Sequence, residues 1–442
     1  MNLAGRSLDF RRKRPQSNPY RVLVLLGMLI GSVFLLRAVE ENQITPPFMP
    51  TSVPTRVSAS FALEGETHFI TGDLNAAIKA YQEAVNLEPN NTQHWSELAR
   101  IQTYSSTMLT TDADRKKRLQ EALESIDNAV KISPDDSTVH AVRAFVLDWY
   151  ASPSLAGEEW QNMLNEAEQE AVRALQLDNQ NTLALVYYSE ILVDQKKWIQ
   201  AEQYIRQALT RDPTSMDVHR VFAYVQESIG NYKDAIDSYL EAAKITPNLT
   251  FLYISIGANY RILKIYDLAL EYFDKAARIN EQLGIKDPIP YLAIGRTYSQ
   301  MGEFFVASRN VLKALNFQPT NPDVYAQLGI VYFKSRNYEG AIPAFQCALL
   351  GCNTQQSCDV RQCDSTVDVM SDIQGMPLSD STLVYYYTYG SVLAGMHSPG
   401  STYCKEAVKI LKLVSDSYGK DKTVSNIVDS SLQICASYNI FP

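Results

Sequence analysis

The chain has 442 residues, of which 46% are hydrophobic and 20% charged, a composition that excludes an extended disordered protein and leaves room for several domains or one long repeat array. Its formal net charge is −9, yet residues 1–21 carry Arg6, Arg11, Arg12, Lys13, Arg14 and Arg21 against Asp9, so the rest of the chain is more acidic than the total. An acidic body excludes a phosphate-tracking surface, and no nucleic-acid partner is expected.

In chain order, a basic tail over residues 1–20 precedes the uncharged run Val22–Leu36. Tyr20, Ala38 and Val39 extend that run when Arg21 and Arg37 turn their charged heads outward, which predicts a transmembrane helix over residues 21–39. A cleaved signal peptide and a buried core helix are the rival readings. Against cleavage, Arg37-Ala38-Val39-Glu40 lacks the small-x-small pattern, and Val57-Ser58-Ala59, which has it, lies too far downstream. Basic residues ahead of the run keep the N-terminus in the cytoplasm by the positive-inside bias. The expected location is the cell membrane, single-pass, with an extracytoplasmic body. Residues 40–57 contain Pro46, Pro47, Pro50 and Pro54 and read as a semi-rigid linker.

From residue 58 onward one spacing recurs. An alanine stands at Ala77, Ala122, Ala167, Ala201, Ala235, Ala269, Ala307, Ala341 and Ala407, and a second small or apolar residue follows seven positions later, from Ala84 to Val414. Seven residues are nearly two helical turns, so both members share a face and allow close helix packing. A further small residue precedes the first alanine, by twelve positions in the regular units, as in Gly65 to Ala77 and Gly329 to Ala341. Pro89, Pro134, Pro213, Pro247 and Pro319 stop the second helix of their units.

The unit Tyr325-x2-Leu328-Gly329-x2-Tyr332-x8-Ala341-x3-Phe345-x2-Ala348 resembles the 34-residue signature of the tetratricopeptide repeat family, as do Tyr291-x2-Ile294-Gly295-x2-Tyr298 and Trp95-x2-Leu98-Ala99. The resemblance implies an all-α solenoid of helix-turn-helix units in a right-handed superhelix, about nine units over residues 58–437, ending in a cap helix at 424–436. Units two and three depart from the pattern, with 23 residues from Ala99 to Ala122 and 23 from Ala144 to Ala167. A larger insertion at 350–380 carries Cys352, Cys358 and Cys363.

The family binds partners in a groove lined by first helices. Projected onto this chain, that face carries Arg100, Arg220, Tyr224, Arg261, Arg296, Ile330 and Phe333. The arginines there are candidates to hold carboxylates of an extended partner segment, with solvated or internally paired arginines as the rival reading. The family's chaperone-binding clamp is not supported, because unit one offers Ala62 and Glu66 in its place.

Six cysteines, Cys347, Cys352, Cys358, Cys363, Cys404 and Cys435, are expected to form disulfides in an oxidising compartment. Free thiols and a four-cysteine zinc site are the alternatives, the latter lacking the usual tight hooks. Antiparallel packing of the last repeat hairpin pairs Cys404 with Cys435, and the other four allow three pairings. No catalytic signature is present and the histidines are scattered. The expected function is a non-catalytic, membrane-anchored scaffold binding a protein or peptide, with no cofactor, metal or small-molecule substrate. Rival readings are an accessory subunit of a cell-envelope assembly, secretion or polysaccharide machine and, less favoured, a repeat-containing transferase.

Overall fold

The computed structural model describes residues 18–40, 56–109, 111–364, 366 and 368–441. The basic cluster Arg11–Arg14 and the prolines of the expected linker lie outside them. The chain divides into two units, Met1–Arg56 and Val57–Pro442. The first contains helix α1 (Pro19–Glu40), whose stretch Pro19–Ala38 is long and apolar enough to cross a membrane.

The second unit is helical hairpins in series. The first three pair α2 (Ser58–Ile70) with α3 (Leu74–Leu87), α4 (Thr92–Ser105) with α5 (Asp112–Ile132), and α6 (Ser137–Tyr150), past the single turn α7 (Pro153–Ala156), with α8 (Trp160–Leu177). Next come α9 (Thr182–Asp194) with α10 (Trp198–Arg211), α11 (Met216–Ser228) with α12 (Tyr232–Ile245), and α13 (Thr250–Ile262) with α14 (Tyr266–Gln282). Then follow α15 (Ile289–Met301) with α16 (Phe304–Phe317) and α17 (Pro322–Lys334) with α18 (Tyr338–Leu349). The insertion holds α19 (Thr354–Arg361), and α20 (Leu383–Gly395), α21 (Tyr403–Tyr418) and α22 (Lys422–Ala436) close the chain.

Local chemistry sets these boundaries. Asp73, Asn91, Thr111, Asp136 and Asn181 each accept a hydrogen bond from a first-turn amide of the helix that follows, which satisfies donors the helix leaves open. The repeated small residues sit where hairpin partners touch. Ala77, Ala84, Ala99, Ala122, Ala129 and their later equivalents have no exposed surface. A Cβ added at Gly329 would come within 2.8 Å of the Phe345 ring, so the glycine lets that fully buried ring lie against α17.

The extra residues of units two and three lengthen helices and pack on each other. They form the 3-10 turn Ser106–Met108, extend α5 and α8, and build α7. Leu119, Tyr150 and Leu155 make a small core between them. In the large insertion Cys352 pairs with Ile373 as an antiparallel bridge, and Cys347–Cys352 and Cys358–Cys363 form two local disulfides. The third bond joins Cys404, on the first turn of α21, to Cys435, on the last turn of α22.

The solenoid coils tightly enough for distant units to meet. Gly72, between α2 and α3, has φ of +79° and lies so close to the backbone carbonyl of Asn248 that a Cβ would collide with it. Only glycine meets both demands, the left-handed backbone and the approach of another chain segment. Gly72→Ala is therefore expected to cost about 1–3 kcal/mol from backbone strain alone. Native-state hydrogen exchange should show faster opening at residues 248–250. An unchanged melting temperature and exchange pattern would contradict the contact between the first and sixth units.

Candidate partner-binding groove

The inner faces of the first helices carry the seven groove candidates, and the structure divides them into two sets. Arg100 and Arg220 are closed inside the coil, at 8% and 5% exposure. Arg100 donates from Nη1 to Asp217 at 2.9 Å and from Nη2 to Glu97 at 2.8 Å. Arg220 grips Glu190 with both terminal nitrogens, at 2.6 and 2.7 Å, and its Nε donates to the Tyr104 hydroxyl at 3.1 Å. That hydroxyl donates in turn to Asp217.

Burial opposes both guanidinium charges, but their carboxylate partners more than offset it, so both pKa values stand above the ordinary arginine range. These two arginines are structural ties and are not offered to a partner, which corrects the expectation for them. The cause is the coiling, which lays α4 against α11 and α13. Tyr104 is fully buried and stacks on Phe251, ring centroids 5.5 Å apart.

Arg261, Arg296, Ile330 and Phe333 remain together further along. They line a cavity of about 520 Å³ with Tyr385 and Tyr387 of α20. Among the described residues, neither guanidinium is ion-paired. Arg296 donates from Nε to Gln327 at 3.1 Å, and Gln327 donates to Asp323 at 2.6 Å. The Nη1 of Arg261 is buried without a hydrogen-bond partner. Burial, and then the charge of Arg296, lowers the Arg261 pKa below its ordinary value, the mark of a cation without an anion. Val311 closes the floor, and Phe273 lies 5.7 Å from the Arg261 guanidinium. The arrangement presents two cations within an apolar and aromatic surround, suited to a carboxylate beside an apolar side chain.

Tyr224, the seventh candidate, lines a separate cavity of about 500 Å³ and donates to Asp194 at 2.5 Å. A smaller cavity of about 250 Å³ runs between the two, sharing Ile254 and Ile289 with the first and Arg261, Arg296 and Gln327 with the other. The three make one groove along the first helices. The acidic residues Asp148, Glu190, Asp194 and Asp217, which decide its electrostatics, were not among the candidates. Their signal in the sequence is an acid set within or beside an apolar run, as in Val146-Leu147-Asp148-Trp149 and Glu190-Ile191-Leu192-Val193-Asp194.

A sequence model of the tetratricopeptide repeat matches residues 59–91, the first hairpin, and a model of anaphase-promoting complex, cyclosome, subunit 3 matches residues 160–242. The chain is 27% identical over 113 residues to BBSome complex member BBS4 of Bos taurus, covering 26% of this chain and 21% of that protein. It is 26% identical over 111 residues to the probable UDP-N-acetylglucosamine--peptide N-acetylglucosaminyltransferase SPINDLY of Hordeum vulgare, covering 24% and 12%. The chain thus spans about a fifth or less of the length of these relatives. The solved structure of the APC/C hetero-tetramer Cut9-Hcn1 is similar at a TM-score of 0.46 and 15% identity, covering 91% of this chain and 82% of that one. The repeat matched at residues 59–91 is the hairpin that recurs, with the same small-residue register, along the rest of the second unit, which has the fold of a tetratricopeptide-repeat solenoid.

Proposed function

We propose that this protein is a non-catalytic scaffold that binds an extended segment of a partner protein in the groove formed by α13, α15, α17 and α20. The observation that carries this reading is the pair Arg261 and Arg296, two cations in no ion pair among the described residues, in a cavity walled by Ile330, Phe333 and tyrosines. An acidic side chain or C-terminal carboxylate would supply the missing charge and Phe333 an apolar contact. We read α1 as a membrane anchor, with the basic tail in the cytoplasm and the repeat body on the opposite side, where three disulfides would persist.

A second reading, an accessory subunit held permanently in a larger assembly, is favoured by relatives whose names make them members of complexes. The two readings share the groove and differ in whether the partner leaves.

The test is site-specific photocrosslinking in the native membrane. A photoreactive phenylalanine at Phe333 is expected to capture a discrete partner, and the same probe at Ile199, exposed on the outer helix α10, is expected to capture none. Combining the Phe333 probe with Arg261→Gln and Arg296→Gln should reduce capture about ten-fold or more, the loss expected for two charge-assisted contacts. Equal capture from both probe positions would refute the groove.

A further inference from the structure

We infer that the cavity between the Ser106–Met108 turn and α13 is a receptor for a lysine or arginine side chain of the partner segment, an inference that rests on the groove reading above. Four carboxyl groups line it, those of Asp148, Glu190, Asp194 and Asp287, against the single cation Arg220. Arg220 is already committed to Glu190 through both terminal nitrogens. Among the described residues, the other three carboxyls form no ion pair.

Each of the three is held in a way that favours an incoming positive charge. Asp148 is 4% exposed, and its Oδ1 is buried without a hydrogen-bond partner. Burying a carboxyl oxygen unpaired is costly, and a bound ammonium or guanidinium would remove that cost. Burial, followed by the charges of Asp194 and Glu190, keeps the Asp148 pKa well above the ordinary carboxylate range. Asp194 belongs to a residue that reaches the surface, but its carboxyl is largely enclosed beside Tyr224 and Glu190, and its pKa is raised to about 6. Asp287 is 5% exposed and accepts from Asn280 at 2.8 Å and from the Ile289 amide at 2.9 Å. Burial raises its pKa to about 6 as well.

The walls fit the rest of the side chain. Trp149 and Phe251 add aromatic surface to the lining, and Met108 and Ile254 add apolar surface for a methylene stem. A metal ion is not favoured, because among the described residues no three acidic, histidine or cysteine side chains converge as a metal site. A segment of chain is favoured over a free amine because the cavity opens through Ile254 and Ile289 towards Arg261 and Arg296. The groove is therefore bipolar. It reads a basic residue at α6–α9 and an acidic one at α15–α20, which fixes the direction in which the partner lies.

The test uses the full chain and a displayed library of random linear peptides. Enriched peptides are expected to carry lysine or arginine, and the leading peptide is measured against the Asp148→Asn/Asp194→Asn protein, against Asp287→Asn, and against Arg261→Gln/Arg296→Gln. Replacing the peptide's basic residue by norleucine and removing the Asp148 and Asp194 charges should each weaken binding about ten-fold or more, and the two losses should not add. Asn keeps the shape of Asp and replaces carboxyls that burial already disfavours in the charged form, so these variants should melt no lower than the parent; Asp287→Asn supplies an independent arm if they do. Binders without a basic residue, or binders that respond to the arginine pair but to none of the aspartates, overturn this receptor and leave the groove reading standing. Displacement of the peptide by cadaverine at comparable concentration assigns the cavity to free amines and overturns it too. No enrichment, or binding indifferent to both sets of variants, overturns the groove reading and the receptor with it.

Discussion

Asp217→Ala is expected to destabilise the second, fourth and fifth repeats together by about 3–5 kcal/mol, the range for removing one partner from a buried ion pair. Asp217 is 5% exposed and takes hydrogen bonds from Arg100 at 2.9 Å, from the Tyr104 hydroxyl and from the Tyr187 hydroxyl at 3.4 Å. Without it, Arg100 keeps Glu97 alone and two tyrosine hydroxyls lose their acceptor. The carboxylate joins α4 to α11 across 117 positions of sequence, so its loss should loosen the coiling as well as the local fold. Denaturant unfolding of the full chain, with hydrogen exchange to locate the change, is the measurement. The companion variant Arg100→Met/Asp217→Leu removes both charges and should recover part of the loss, because the buried pair then strands neither member, while Glu97, a quarter exposed, is left to solvent and the two tyrosine hydroxyls still lack an acceptor. An Asp217→Ala protein as stable as the parent would show that the network contributes nothing to holding the coil.

Cys404→Ser is expected to loosen the C-terminal end by ~3–4 kcal/mol in the chain-entropy account of a disulfide. The bond spans 31 positions and joins two sulfurs with no exposed surface. It ties α22, the last helix described, to α21. The Ser391–Ser431 hydrogen bond of 2.8 Å and the burial of Val424 and Val428 remain, so α22 should be weakened rather than lost. Limited proteolysis should open residues 422–441 while the first six repeats keep their unfolding transition. Peptide mapping without reductant gives the direct check: free thiols at Cys404 and Cys435 in protein from its native membrane would remove the staple, and with it the argument for an oxidising compartment.

The sequence by itself determined the architecture. Small residues at fixed spacing, from Gly65 and Ala77 to Gly329 and Ala341, specify hairpin after hairpin, because helix contacts within a unit depend on side-chain size at a few nearby positions. The helix stops were equally local, written in Pro89 and Pro134. The pairing of Cys347 with the three cysteines of the insertion was open, since spacing alone allowed three arrangements, and the structure chose Cys347–Cys352 and Cys358–Cys363.

The fate of the groove arginines was not local. Arg100, Arg220, Arg261 and Arg296 occupy comparable faces of their helices, and nothing in the repeat register separates them. The coiling does: it accumulates over five units, brings Gly72 to Asn248 and Tyr104 to Phe251, and buries the first two arginines against Asp217 and Glu190. Arg261 and Arg296 lie beyond that closed region and form no ion pair among the described residues. Which charges are spent inside the fold and which are left for a partner is decided by contacts between repeats, from 30 positions apart for Arg220 and Glu190 to 117 for Arg100 and Asp217, and these exist in the folded chain alone.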